Sequence, residues 1–280
     1  MKKRIITDSK VKAFEKNLVE NERSKATVEK YRRDLRNFIE YAAGRTLDKQ
    51  LILDYKLELG QSYAVRSANS MLAALNSFLR FLGWLDLCVR QFRIQRETYC
   101  SEEKELTKDE YRSLVRTAEQ NKNERLSLII QTICATGIRV SELQSITVEA
   151  IRRGEAVVSC KGKTRKIFII KALQSKLLRY VEKNGIVSGV VFVTKGGRAL
   201  NRSNIWKQMK DLCKEAGVSH KKVFPHNLRH LFARSFYAVE KDIAKLADIL
   251  GHSNISTTRI YIATSGAEHQ RCMESMRLVV

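Results

Sequence analysis

Proline is almost absent from this chain: one residue in 280, Pro225. No low-complexity tract and no internal repeat accompany it. Six cysteines, at positions 88, 100, 134, 160, 213 and 272, include no Cys-x-x-Cys pair. That spacing argues against a disulfide framework or a zinc ribbon and fits reduced thiols in a cytoplasm. No apolar run reaches the roughly 18 residues of a membrane span. The basic start, Met1-Lys2-Lys3-Arg4, leads into no long apolar stretch, which argues against a secretory signal. Acids are also scarce, with 30 Asp and Glu against 52 Lys and Arg, a formal charge of +22. The hydrophobic share of 44% excludes wholesale disorder. A folded chain with this surplus of positive charge points to a polyanionic partner, and nucleic acid comes first. Anionic membrane surface is the rival, disfavoured because no Lys-rich amphipathic helix carrying Trp or Phe dominates.

A length near two typical domains, at about 150 residues each, agrees with the pattern along the chain. Residues 1–100 carry a net charge of +8 and residues 101–280 a net of +14; within 161–210, 13 bases face one acid, Glu182. Ser24 is a candidate N-cap before Val28, Tyr31, Leu35 and Phe38, spaced at three and four. A second such helix is expected from Tyr63 to Leu85, with Gly44 and Gly60 at gaps between helices. Four helices over residues 1–97, a linker over 98–105 and a second domain over 106–280 follow. Thr107 with Glu110 has the spacing of a capping box and opens that second domain. Helices are expected through 111–119 and 126–135, then strands over 156–160 and 166–170 around a basic turn, 161–165, and helix again from Leu173 almost to the end. The fold class is mainly α: an N-terminal four-helix domain, and a mostly helical second domain with a small antiparallel β-sheet.

The side chains capable of chemistry fall in three places. Pro225 opens Pro225-His226-Asn227-Leu228-Arg229-His230, and a first-turn proline wastes no donor. His226, Arg229 and His230 then share one helix face. Two histidines at i, i+4 could hold zinc, but no third ligand is evident and Arg229 would repel a cation, so no metal is expected; a packed His230 beside a functional His226 and Arg229 fits better. Leu250-Gly251-His252-Ser253-Asn254 ends one helix at Gly251, and Ser253 or Asn254 can cap the next, which carries Tyr261 near its far end. Taken singly, His252 and Tyr261 could each be structural. Ala135-Thr136-Gly137-Ile138-Arg139-Val140-Ser141-Glu142-Leu143 places Arg139 after a glycine break, with Glu142 able to orient it. As an exposed i, i+3 ion pair, that contact would contribute only about 0.2–0.5 kcal/mol. In combination the set has a purpose. Two guanidiniums can clamp one phosphate, histidines and a lysine can move protons, and a tyrosine can attack phosphorus. No carboxylate cluster suggests two-metal chemistry.

These boxes, in this order and spacing, resemble the tyrosine recombinase (phage integrase) family, most of all its Xer-type and small transposon-integrase members. The turn Cys160-Lys161-Gly162-Lys163 is similar to the family's lysine-bearing β-turn, with Lys161 the catalytic position and Lys163 the less favoured choice. Ser24, Thr27, Tyr31, Leu35 and Phe38 fit the core-binding domain, so the likeness covers nearly the whole chain. The resemblance implies a site-specific recombinase that cuts and rejoins DNA through a 3′-phosphotyrosyl link, without metal or cofactor. Its catalytic set would be Arg139, Lys161, His226, Arg229, His252 and Tyr261. Arg139 and Arg229 would hold nonbridging oxygens, and Lys161 would protonate the 5′-oxygen. His226 would serve as acid/base for the phenol and His252 as a donor to phosphate, with His230 and Glu142 in support. The implied partners are a double-stranded recombination site and a homo-tetramer on two duplexes, with residues after Ala263 docking on a neighbour in trans; accessory or directionality factors are compatible with this. Two basic arms would clamp the duplex. The helix bearing Tyr63, Arg66, Asn69 and Asn76, and the segment Asn201 to Lys210, would read the major groove. With about seven residues before the first helix, no arm-binding domain is expected. Integration, excision, inversion and resolution all use this chemistry.

Overall fold

A computed structural model describes residues 4–94, 105–160, 163–194, 196–261 and 273–276. The chain is mainly α and forms two compact units, Met1–Arg96 and Glu97–Val280.

The first unit comprises α1 (Asp8–Glu20), α2 (Lys25–Ala42), α3 (Lys49–Ser62) and α4 (Val65–Phe81). Thr7, Ser24 and Asp48 cap the first three by accepting from backbone N–H groups of the opening turn. Phe14, Leu35, Phe38, Ile52, Leu72 and Phe78 fill the core where the helices meet. Gly60 is not a gap, as expected from the sequence, but lies within α3. It is needed there for room: a Cβ would sit 2.9 Å from the Phe92 ring.

Asn69 and Asn76 also depart from expectation. Both are buried, and both clip the chain that returns along α4 instead of facing outward. Asn76 Nδ2 donates to the Val89 carbonyl (2.7 Å) and its Oδ1 accepts from Val89 N–H (3.0 Å). Asn69 treats Phe92 the same way, at 2.9 and 2.7 Å. The spacing has a simple cause. Seven residues of helix rise about 10.5 Å, and three residues of extended chain span about 10 Å. Two asparagines two turns apart therefore meet residues 92 and 89 in register. Of the four residues assigned to groove reading, only Tyr63 and Arg66 stay exposed.

In the second unit, α6 (Glu124–Thr136) is the central helix, packed by α5 (Lys108–Gln120), α8 (Lys171–Lys183) and α10 (Pro225–Glu240). Its Ile129, Ile130 and Ile133 are buried accordingly. The capping box of Thr107 and Glu110 is present at the start of α5. After α7 (Val148–Arg153), β1 (Glu155–Cys160) and β2 (Lys163–Phe168) form an antiparallel pair, from Glu155↔Phe168 to Cys160↔Lys163. The second strand thus begins three residues before the expected Lys166, because pairing continues to the end of β1. It stops at Phe168, where β1 has no further partner. Among the described residues, 184–201 hold no helix, contrary to the reading of helix after Leu173. Their four glycines weaken helix, and isolated bridges Thr147↔Val190 and Val193↔Ala199 pin the backbone instead. Then come α9 (Arg202–Asp211), α10, α11 (Ile243–Leu250) and α12 (Ile255–Arg259). No helix among the described residues is long and apolar enough to cross a membrane.

Candidate active site

The first wall is built where α6 stops. Gly137 takes the left-handed conformation, φ +65°, and a Cβ there would lie 2.5 Å from the Phe232 ring, so backbone and packing both require glycine. Arg139 follows in extended conformation, and a short 3-10 helix, Val140–Ser145, brings Glu142 back beneath it. Glu142 accepts from Arg139 N–H and from Arg139 Nη1, each at 2.9 Å. This is not the exposed pair that sequence spacing alone suggests, since Glu142 is only 6% exposed. A second guanidinium explains how a carboxylate survives there. Arg165, on β2, donates from Nη1 and Nη2 to the two Glu142 oxygens at 3.0 and 2.7 Å. Burial opposes ionisation, yet the bonds from Arg165 and Arg139 prevail and hold the Glu142 carboxyl down at about 2. Sequence reasoning missed Arg165. Period-two alternation was the available signal, because it places Arg165 on the same strand face as buried Ile167.

Arg229 forms the floor. Pro225 starts α10 with its ring in the first turn, and packing of that helix on α6 turns Arg229 inward, to 1% exposure. Its Nη1 donates to the Gly137 carbonyl and its Nη2 to the Leu250 carbonyl at 2.7 Å. Nη2 also meets His252 Nε2 at 3.0 Å, while buried Nε has no partner among the described residues. Burial, and then the positive Arg139, bring the guanidinium down to about 10, so it stays charged at neutral pH. A buried cation served by carbonyls and an imidazole keeps its positive charge available to an incoming anion.

Gly251 ends α11 at φ +65°, with the place of a Cβ only 2.7 Å from Arg165 Cδ. The chain then turns to present His252, whose Nδ1 meets Thr258 Oγ1 at 2.9 Å. Because a guanidinium can only donate, His252 Nε2 accepts from Arg229, and the neutral ring carries its proton on Nδ1. Burial, then Arg229 and Arg139, push His252 down to about 4. Asn254 caps α12 as expected, but that helix ends at Arg259, two residues short of Tyr261. Tyr261 sits in the following turn, held by its N–H to the Thr258 carbonyl at 2.9 Å.

Three imidazoles surround the Tyr261 ring. His230 lies closest, with centroids 4.2 Å apart; His252 stacks at 5.5 Å and His226 lies at 5.6 Å. Tyr261 is 5% exposed. Its hydroxyl is 3.5 Å from His226 Nε2, the outer limit of a hydrogen bond. Desolvation and the cations Arg229, Arg139 and Arg202 lower the His226 pKa. Burial, then His226 and Arg234, push His230 down to about 3. All three rings are therefore neutral near pH 7, and His226 is able to accept a proton.

Of the sequence-selected residues, the structure brings Arg139, His226, Arg229, His252 and Tyr261 together. Lys161 and its alternative Lys163 cannot be placed against them, since Lys161 and the Lys163 side chain lie outside the described residues, as do Ala263 and most of the following tail. A cleft of about 810 Å³ opens beside the cluster, lined by Arg139, His226 and Arg229 and by Arg202, Ser203 and Trp206 of α9. The exposed residues of α9 include Arg202, Trp206 and Lys207. Among the described residues, no three His, Cys, Asp or Glu side chains are grouped to hold a metal ion.

Known proteins resemble this chain in sequence and in fold. The profile of the phage integrase family matches residues 104–268, and that of the phage integrase N-terminal SAM-like domain matches residues 11–85. Tyrosine recombinase XerA of Pyrococcus horikoshii is 30% identical over 264 residues, covering 92% of this chain and 90% of the relative. Tyrosine recombinase XerD of Halalkalibacterium halodurans is 31% identical over 267 residues, with 87% and 88% covered. Among solved structures, lambda integrase bound as a dimer to a core site is similar with a TM-score of 0.74, 19% identity, and 92% and 77% coverage. XerH recombinase bound to its difH substrate gives a TM-score of 0.70 at 18% identity, with 95% and 84% covered. The chain therefore belongs to the phage integrase family, whose members include the Xer tyrosine recombinases.

Proposed function

We propose that this chain carries out site-specific DNA recombination with Tyr261 as nucleophile and the cleft beside it as the seat of the scissile phosphate. The observation that carries the reading is Arg229, a buried guanidinium that donates to two carbonyls, meets an imidazole and interacts with the Tyr261 side chain. Together with Arg139, it offers two forks to nonbridging oxygens, where charge accumulates as phosphorus becomes five-coordinate.

Neutral His226 takes the proton of the Tyr261 hydroxyl as that oxygen bonds to phosphorus. The bond from phosphorus to the 5′-oxygen breaks, leaving a 3′-phosphotyrosyl link. Lys161, assigned through the family motif, delivers the proton that makes the leaving group a 5′-hydroxyl. Attack by the 5′-hydroxyl of a partner strand reverses each step, so bond energy is retained. His252 enters the cycle as acceptor for Arg229. An anionic phosphate raises its proton affinity, and protonation at Nε2 turns it into a donor. The partner is a double-stranded recombination site. The working assembly is a homo-tetramer on two duplexes, with the segment after Ala263 docked on a neighbour.

Nicked suicide duplexes, built on inverted repeats around a short spacer in DNA flanking the gene, test the chemistry. Wild-type protein should trap a covalent complex. Tyr261→Phe should bind the same duplex and form none; equal covalent product from that variant would refute the assignment.

A further inference from the structure

Arg165 lies outside the group just assigned, yet all three of its bonds run to segments that carry that group. It sits on the inward face of β2, opposite Val158, and its side chain is 11% exposed. Its two terminal nitrogens grip Glu142, and its Nε donates to the Ile249 carbonyl at 3.2 Å. One planar group thereby joins three segments: the strand after Lys161, the 3-10 helix under Arg139, and the end of α11. The next carbonyl, that of Leu250, accepts from Arg229, and the residue after Gly251 is His252. Gly251 leaves no gap above it, since a Cβ there would strike Arg165 Cδ.

We propose that Arg165 is a positioning residue for the strand-transfer reaction: through Glu142 it sets the Arg139 fork, and through the end of α11 it sets the carbonyl and imidazole that orient Arg229. The proposal rests on the reading of the cleft given above. Only a guanidinium can do this. It supplies two parallel donors to one carboxylate and a third donor on another edge, whereas an ammonium is a single point on a flexible stem. Glu142 in turn has four contacts to satisfy, two from each arginine, and cannot hold Arg139 in one rotamer if the opposite side is empty. Arg165 touches no reacting atom. It acts on transition-state charge through the placement of two other side chains.

The experiment compares wild type, Arg165→Lys and Arg165→Ala on the suicide duplex, with duplex affinity and thermal midpoint measured alongside. Arg165→Ala should bind the duplex as wild type does and form the covalent complex about 100-fold more slowly, the cost of misplacing a catalytic group by about an ångström. Arg165→Lys keeps the charge and the stem under Gly251, and should recover only part of that rate; it carries the test if the alanine variant is unfolded. The decisive readout is the same duplex with a methylphosphonate at the scissile position, which replaces one nonbridging oxygen by methyl. With less charge for Arg139 and Arg229 to meet, the deficit of each variant against wild type should shrink. Wild-type cleavage rates in both variants would overturn the proposal. So would an equal deficit on both duplexes, because general destabilisation does not distinguish them. If wild-type protein itself formed no covalent complex, the reading of the cleft would fall, and this proposal with it.

Discussion

Substituting Gly137 by alanine separates two reasons for a glycine that sequence cannot distinguish. The first is conformational: φ is +65°, and a side chain in the left-handed region costs about 1–2 kcal/mol. Stiffening the unfolded chain returns about 0.4–1 kcal/mol of that. The second is packing. The new Cβ would lie 2.5 and 2.7 Å from two Phe232 ring carbons and 3.1 Å from Leu250 Cδ2. Phe232 is a ring held between helices and not the free end of a flexible chain, so overpacking of about 1–3 kcal/mol applies. Gly137→Ala should thus lose about 1–4.5 kcal/mol, centred near 3. Gly154 is the control. Its φ is +76°, and its nearest potential contact is Gln174 Nε2 at 3.8 Å, so Gly154→Ala carries backbone strain alone, about 1 kcal/mol. Trp84 and Trp206 are the two tryptophans; a Trp84→Phe background leaves Trp206 to report unfolding of the second unit in urea. The Gly137 carbonyl is also a ligand of Arg229, so cleavage should slow beyond what lost stability explains. If Gly137→Ala proved no less stable than Gly154→Ala, the packing argument would be refuted.

Asn76→Leu leaves the N–H and carbonyl of Val89 unpaired, and should destabilise the first unit by about 1–3 kcal/mol per stranded group. Urea unfolding followed by Trp84 fluorescence measures it, while DNA sequence preference should stay the same; altered preference at full stability would restore Asn76 to groove reading. His230 and His252 titrate near 3 and 4 in the fold against an ordinary 6.5. Below pH 6.5 the unfolded chain therefore takes up protons that the folded one refuses, and stability falls between about pH 6.5 and pH 4. The urea midpoint of the second unit should decline over that window, less steeply in His230→Phe; a flat midpoint from pH 7 to 5 contradicts the reading. Thr258→Val removes the partner of His252 Nδ1 and frees the ring to carry its proton on Nε2, facing the Arg229 donor. Covalent-complex formation should slow at unchanged duplex affinity, and an unchanged rate would dismiss the tautomer argument.

Capping and periodicity carried much of the fold into plain view. Ser24, Thr107, Pro225 and Gly251 all mark helix ends as local rules require, because a cap is satisfied by residues three or four positions away. The misreadings share one cause. Gly60 reads as a break until Phe92 is seen against it, and Asn69 and Asn76 read as surface amides until residues 89–92 return along α4. β2 begins earlier than its own residues suggest, because pairing with β1 decides where the strand begins.

Local pattern by itself determined the helical class, the basic character and the identity of five side chains that now stand together, since each box is a short stretch of chain. Tertiary structure alone decided what those side chains are to one another. Arg229 became a buried cation only when α10 crossed α6 and placed it on the Gly137 and Leu250 carbonyls. Glu142 became an ionised carboxylate below the surface only when β2 brought Arg165 from 23 residues away. Such facts depend on desolvation and on distances between remote segments, and no spacing along the chain encodes either.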